Sequence, residues 1–118
     1  MLDHVVLQVS DAARSRAFYE RALAPLGYAV QTEFPGFVGF GTDRPVFWIA
    51  QRGVTSTEVH VALRAADRAT VDAFHAAALA AGGRSNGEPG ERPHYHPGYY
   101  GAFVLDPDGN NIEAVVYG

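Results

Sequence analysis

The sequence predicts an α+β domain assembled from two βαβββ modules, residues 1–53 and 57–118. Three observations lead there: an internal repeat, a strand-then-helix pattern opening each copy, and a turn sequence near the end flanked by apolar runs. His4-Val5-Val6-Leu7 aligns with His60-Val61-Ala62-Leu63. At the same offset Asp11 meets Asp67, Phe18 meets Phe74, Ala22-Leu23-Ala24 meets Ala78-Leu79-Ala80, and Gly27 meets Gly83. Two copies of one supersecondary unit therefore fill the chain.

In the first copy, Val5, Leu7 and Val9 alternate with His4, Val6 and Gln8, which predicts a strand over Asp3 to Val9. Ser10 or Asp11 then offers a helix N-cap. Ala13, Ala17, Phe18, Ala22 and Leu26 recur at helical spacing, and Pro25 with Gly27 ends the segment. Three short extended runs follow, Tyr28 to Glu33, Phe37 to Phe40 and Val46 to Ala50, punctuated by Pro35-Gly36 and by Gly41 to Pro45.

The second copy repeats the order, with a strand over Glu58 to Ala65 and Asp67 capping a helix that buries Val71, Phe74 and Ala78 before Gly82-Gly83. The strand expected next is weak, and Arg84 to Tyr100, rich in Gly, Pro, His and Tyr, reads as a long connection. Gly101 to Leu105 then pairs with Asn111 to Tyr117 across Asp106-Pro107-Asp108-Gly109-Asn110. Pro107 suits the second position of a type I turn and Gly109 is free to take positive φ. Asp106, Asp108 and Asn110 do not open an EF-hand loop, because glycine comes fourth rather than sixth and strands replace the helices. Gly36, Gly39 and Gly41 are likewise no dinucleotide fingerprint, since no helix pattern follows them.

Composition narrows the function classes. With 118 residues and 47% hydrophobic content the chain is long enough for one ordinary core. No cysteine is present, so any metal would be held by imidazole and oxygen ligands. A net charge of −4, with arginine as the sole strong base, supplies no stripe for phosphates, and nucleic acid is not an expected partner. The N-terminus shows no leader pattern and no run of about eighteen apolar residues occurs, so a soluble, cytoplasmic protein without membrane contact is expected.

Strand parity points the polar residues. The apolar row Val5-Leu7-Val9 belongs under the helices, which sends His4 to the opposite face of the sheet, and His60 follows the same logic. In the last strand Ile112, Ala114 and Val116 face the helices while Glu113 shares the other parity. Two imidazoles and one carboxylate in one hollow suit one divalent metal ion, whether Fe, Mn, Ni or Zn, with positions left open. Each residue alone has a plainer role: a strand histidine is commonly a hydrogen-bonded core group, and a lone glutamate commonly pairs with an arginine or a backbone N–H.

The βαβββ repeat, the motif His4-Val5-Val6-Leu7 followed by Ala17-Phe18-Tyr19, and the closing Asp106-Pro107-Asp108-Gly109-Asn110-Asn111-Ile112-Glu113 resemble the vicinal oxygen chelate superfamily. That group includes glyoxalase I, extradiol dioxygenases, fosfomycin-resistance thiol transferases and metal-free bleomycin-resistance proteins. The resemblance covers the whole chain. It implies paired modules forming a curved, half-open barrel sheet with helices on the outside, and His4, His60 and Glu113 match three of its ligand positions. Aligning Val46-Phe47-Trp48-Ile49-Ala50 with Asn111 to Val115 puts Trp48 where glyoxalase I-like members place a carboxylate. Indole offers no lone pair to a metal, so the resemblance implies a three-ligand site of the dioxygenase or thiol-transferase type. Trp48 would wall an apolar substrate pocket or simply fill core volume.

The second copy exceeds the first by the segment Arg92 to Tyr100. Such loops are often functional: His94 or His96 would serve as acid or base, and Tyr95, Tyr99 or Tyr100 would hydrogen-bond a substrate oxygen. A surface loop pinned by prolines and buried rings fits equally. Gln8 and Arg64, at the inward parity of their strands, are candidate substrate contacts or solvent-facing strand ends. His75, among alanines on the second helix, is expected at the surface or an interface.

Two functions stand against each other. One is a metal-dependent enzyme, dioxygenase-, lyase- or thiol-transferase-like, acting on a small oxygen-bearing substrate, as a homodimer by resemblance. The other is a metal-free drug-binding protein. A purely structural dimerisation module leaves the inward polar groups unexplained. Relatives of this architecture close the hollow within one chain or across a swapped dimer, and both arrangements stay open here.

Overall fold

A computed structural model describes residues 1–118. The first module runs β1 (Val5–Gln8), α1 (Ala12–Ala22), a 3-10 turn (Ala24–Leu26), β2 (Ala29–Phe34), β3 (Phe37–Gly41) and β4 (Phe47–Ala50). The second runs β5 (His60–Arg64), α2 (Arg68–Ala80), β6 (Arg84–Glu91), β7 (Tyr99–Leu105) and β8 (Asn111–Tyr117). The α+β class and the doubled βαβββ unit are as expected. No helix is long and apolar enough to cross a membrane.

Helix ends follow local chemistry. Asp11, not Ser10, caps α1 by accepting from the Arg14 N–H at 3.1 Å. Asp67 caps α2 by accepting from the N–H and the hydroxyl of Thr70 at 2.8 and 2.7 Å. After α1 the chain turns through Pro25 and leaves at Gly27, whose φ of +84° is the left-handed conformation glycine tolerates best. The solvated face of α1 carries an i,i+4 pair, Arg16 to Glu20 at 3.0 Å, and Arg16 also reaches Glu33 at 2.9 Å.

Each module makes its own four-stranded mixed sheet, in the orders β1-β4-β3-β2 and β5-β8-β7-β6. The first and last strands of a module run parallel, and the remaining pairs are antiparallel. The helices pack on one face of their sheets and against each other. One hydrophobic core unites the modules, with Leu7, Phe18, Phe40, Phe47, Phe74, Val104 and Ile112 among its members. Each module contributes its own four-stranded sheet and no barrel closes, in keeping with the half-open arrangement of paired modules that the resemblance implies. Parity fixes which face of a strand meets a helix, whereas the way two modules stack depends on tertiary packing that a repeat does not encode.

β6 departs from the weak strand and long connection that the sequence predicts. It pairs with β7 through register shifts at Ser85/Gly87 and Gly87/Gly90, and it is an edge strand, where Pro89 costs no ladder bond that an inner strand would need. Gly87 is required there, since a Cβ would lie 2.8 Å from the Phe103 ring. The same strand explains His75, which is buried rather than exposed, its Nε2 2.9 Å from the Ser85 hydroxyl.

The closing turn matches expectation and does more than reverse the chain. Gly109 has φ +92° and donates to the Asp106 carbonyl at 3.0 Å. The buried Asp106 carboxylate accepts from the Asp108 and Asn110 N–H groups at 2.9 and 2.8 Å, and from the Tyr19 hydroxyl of α1. Asn110 donates to the Ser56 carbonyl at 2.8 Å and accepts from the Val59 N–H at 3.0 Å. Asp108 takes the hydroxyl and N–H of Ser10 at 2.5 and 3.1 Å. The turn thus bolts the second module to the first.

Candidate functional site

The helix-free face of the second sheet gathers its polar groups around Glu113. In the parallel β5–β8 register Ala62 stands opposite Glu113 and His60 opposite Asn111, so the imidazole leans diagonally to the carboxylate. His60 Nε2 lies 2.7 Å from Glu113 Oε1, with the histidine 52% and the glutamate 1% exposed. The other carboxylate oxygen accepts from the Tyr99 hydroxyl. Burial first, and then this bond to Glu113, raise the Tyr99 pKa well above the usual phenol value. Tyr99 therefore stays protonated and donates. Gly101 makes the space, for a Cβ there would sit 3.1 Å from the Tyr99 ring and 3.2 Å from Glu113 Oε2.

Around this centre the long loop folds back as a compact turn, with Arg92 N–H bonded to the Tyr99 carbonyl at 2.8 Å and Gly98 at φ +79°. Tyr95 meets Tyr99 edge-on at 5.1 Å, Tyr99 meets Tyr117 at 5.3 Å, and His96 meets Tyr117 at 5.0 Å. His94 packs on Tyr95 at 4.3 Å. Arg64 lies over the Tyr117 ring at 5.1 Å. His94, Tyr95, His96, Tyr99 and Arg64 thus share one rim. Tyr100 does not, because the next residue along a strand faces the other way: its hydroxyl donates to Asp72 of α2 at 2.6 Å and Arg68 covers its ring.

The reading from sequence missed three residues here. Phe103 flanks the His60 ring at 5.9 Å, and its place at the parity of Tyr99 and Gly101 would have found it. Tyr117 shares parity with Glu113 in the same way. Arg92 ties the Gly90 and Gly101 carbonyls, each at 2.8 Å, and nothing in its sequence context marks that role.

His4 lies on the other sheet. Its Nδ1 is 2.7 Å from Asp3, which Arg44 holds from the far side at 3.1 Å. These residues edge a pocket of about 560 Å³ that also includes Val6, Phe34, Phe37 and Trp48. The register makes Trp48 the positional twin of Glu113, since Val6 faces Trp48 as Ala62 faces Glu113. Gln8, on the same face of β1, is anchored through its backbone to Ser56, at 3.2 Å to the hydroxyl and 2.8 Å to the N–H. Its side-chain oxygen is buried without a partner.

Within one chain no three His, Asp or Glu side chains come together as a metal shell. His60 and Glu113 nonetheless have the chemistry and spacing of two ligands. Donors about 2.1 Å from a shared ion at right angles stand about 3 Å apart, close to their present separation. The donor set fits a divalent ion provided a third ligand arrives from elsewhere.

A doubled βαβββ chain with a histidine opening each module and a carboxylate in the final strand defines a class of small α+β proteins that carry sites on open sheet faces. The chain belongs to the Glyoxalase/Bleomycin resistance protein/Dioxygenase superfamily, whose family model matches residues 1–114. Among solved structures it is similar to a glyoxalase/bleomycin resistance protein from Albidiferax ferrireducens T118, at 30% identity and TM-score 0.82, covering 96% of this chain and 95% of that one. A glyoxalase/bleomycin resistance protein/dioxygenase family enzyme from Burkholderia phytofirmans PsJN shares the fold at 21% identity and TM-score 0.77, over 99% and 98% of the two chains. A lactoylglutathione lyase from Agrobacterium tumefaciens does so at 21% identity and TM-score 0.73, over 98% and 92%. No curated protein matches the chain.

Proposed function

We propose that the protein is a small divalent-metal-dependent enzyme of the vicinal oxygen chelate type that acts on an oxygen-bearing small molecule as a homodimer. The observation that carries this is the His60–Glu113 pair, a nearly inaccessible carboxylate and a half-exposed imidazole converging at 2.7 Å on an open sheet face. His4 of a second copy would supply the third ligand, because one chain holds His4 on its other sheet. When bound there, a divalent ion supplies Lewis acidity to adjacent substrate oxygens.

The chain's own groups have separable parts in that reading. Glu113 is held in one rotamer by Tyr99, so its free energy of reorganisation on ligand binding is small. His94 and His96 on the rim exchange protons with the substrate, and Tyr95 and Tyr99 keep water from the carboxylate. Arg64 contacts polar substrate atoms at the end of β5, and Gln8, on the other sheet like His4, would do so only from a second copy.

Elemental analysis of protein purified without affinity metals tests the proposal. Stoichiometric metal in the parent, lost in His60→Ala, Glu113→Ala and His4→Ala and lost again on dilution to monomer, is expected. A metal-free parent that cannot be reconstituted would sink it.

A metal-free binding protein is the second reading, and one observation favours it. Both Glu113 oxygens already have hydrogen-bond partners, so the carboxylate is satisfied with no ion present.

A further inference from the structure

The geometry points to a binding site for a planar aromatic carboxylate on the open face of the first module, with Trp48 and Phe34 as ring contacts and Arg44 as the anion contact. This deepens the small-molecule reading and rests on it only in treating the open faces as ligand sites. No metal is required.

The flat wall is built from the sequence upward. Gly39 stands opposite Trp48 across β3 and β4. A Cβ at that position would meet the indole at 3.0 Å and Pro45 at 2.7 Å, so only glycine lets the ring lie over the strand. Phe34, from the end of β2, sets its ring within 9° of parallel to the indole, with centroids 6.3 Å apart. Phe37 closes one side, edge-on to Phe34 at 6.4 Å. In the single chain Phe34 is 55% exposed and Val6 43% exposed, an apolar surface on a face with no helix to cover it. A volume of about 560 Å³ lies within the range of small-molecule sites, roughly 300–1,000 Å³.

The polar end of the pocket is short of acceptors. Asp3, the one carboxylate at this end, already holds one oxygen on His4 and the other on Arg44. Arg44 spends one terminal nitrogen on Asp3 and leaves 54% of its side chain exposed, with the rest of the guanidinium fork free to donate. Surplus donors beside parallel aromatic walls select an oxyanion carried on a flat ring. A saturated acid keeps the charge but loses the ring contacts, and a neutral ring loses the charge-assisted bond.

Calorimetry on chelator-stripped protein with 2-naphthoate as probe tests this, together with the NMR signal of the indole N–H, unique because Trp48 is the only tryptophan. Saturable binding that shifts the indole signal is expected. The neutral 2-naphthalenemethanol and the saturated cyclohexanecarboxylate should each bind about tenfold more weakly. Phe34→Ala and Arg44→Gln should each weaken naphthoate about five- to tenfold with unchanged unfolding midpoints, both side chains being exposed. Absence of saturable binding, an unmoved indole signal, or equally tight binding of the cationic 2-naphthylmethylammonium would overturn it. Metal content is read separately, so a metal-free parent that binds naphthoate removes the enzyme reading and leaves this site intact.

Discussion

The Tyr99 hydroxyl donates to Glu113 Oε2, the carboxylate oxygen that His60 leaves over. A phenol and an imidazole thus share one buried carboxylate from opposite sides. Removing the phenol in Tyr99→Phe strands a buried charged acceptor, with an expected loss of about 1–2 kcal/mol in urea unfolding. On the metal reading it also weakens metal retention while leaving stoichiometry at saturation unchanged. Full stability and unchanged retention in the variant would mean the bond contributes nothing.

Gly101→Ala pushes on Tyr99 and Glu113 from behind. The added methyl meets the Tyr99 ring at 3.1 Å, Glu113 Oε2 at 3.2 Å and the Ala114 carbonyl at 3.4 Å. A destabilisation of about 1–3 kcal/mol is expected from overpacking. The NMR signals of Tyr99 and His60 should shift as well, and an undisturbed spectrum would show that the sheet absorbs the methyl.

Stability should fall at alkaline pH. Tyr19, pushed far up by burial and by the nearby Asp106, and Tyr99, raised by burial and Glu113, both hold their protons in the fold. Their stabilisation is fully present below the unfolded phenol value of about 10, because both states are then neutral there. Above it the unfolded chain sheds protons that the native chain retains, so stability declines as pH rises. Denaturant midpoints across the alkaline range measure this, and Tyr19→Phe and Tyr99→Phe should each flatten the decline.

Asn110→Ala should loosen the closing turn from the linker and from the start of the second module. Asn110 is fully buried and joins the Ser56 carbonyl, the Val59 N–H and the Asp106 carboxylate. Stranding those partners is expected to cost about 2–3 kcal/mol. Ser10→Ala, which removes an exposed bond to Asp108, should cost less than about 1 kcal/mol. Equal midpoints for the two variants would remove the distinction between the buried and exposed halves of the turn.

Periodicity and turn chemistry carried most of the fold. The closing hairpin was legible because Pro107 and Gly109 each have one favoured place in such a turn, and β8 because its apolar row is unbroken. β6 was illegible because Gly87, Pro89 and Gly90 argue against a strand, and an edge with bulges is where those residues are tolerated. For the site, parity placed His60 and Glu113 on one face, whereas Tyr99 reads only as one of several phenols in a loop. Tyr100 reads as a rim candidate because Arg92 to Tyr100 reads as a loop, and its place in β7 is what turns it to the face opposite Tyr99. The separation of His4 was beyond reach, since equivalence within a repeat says nothing about which way two copies turn.

The strand order also sets a timetable. β2–β3 and β7–β8 are local hairpins, whereas β1 and β5 are edge strands whose parallel partners β4 and β8 lie a whole module away in the chain. Closing those long loops is the late, entropically dear step of folding, so β1, which follows His4, and β5, which opens with His60, dock last. His60 finds Glu113 only when the sheet is otherwise finished. Pulsed hydrogen exchange during refolding should protect β7 and β8 amides toward each other before those of β5. A ligand that grips His60 would then act on the final event of folding, slowing the release of β5 far more than it speeds the collapse of the chain.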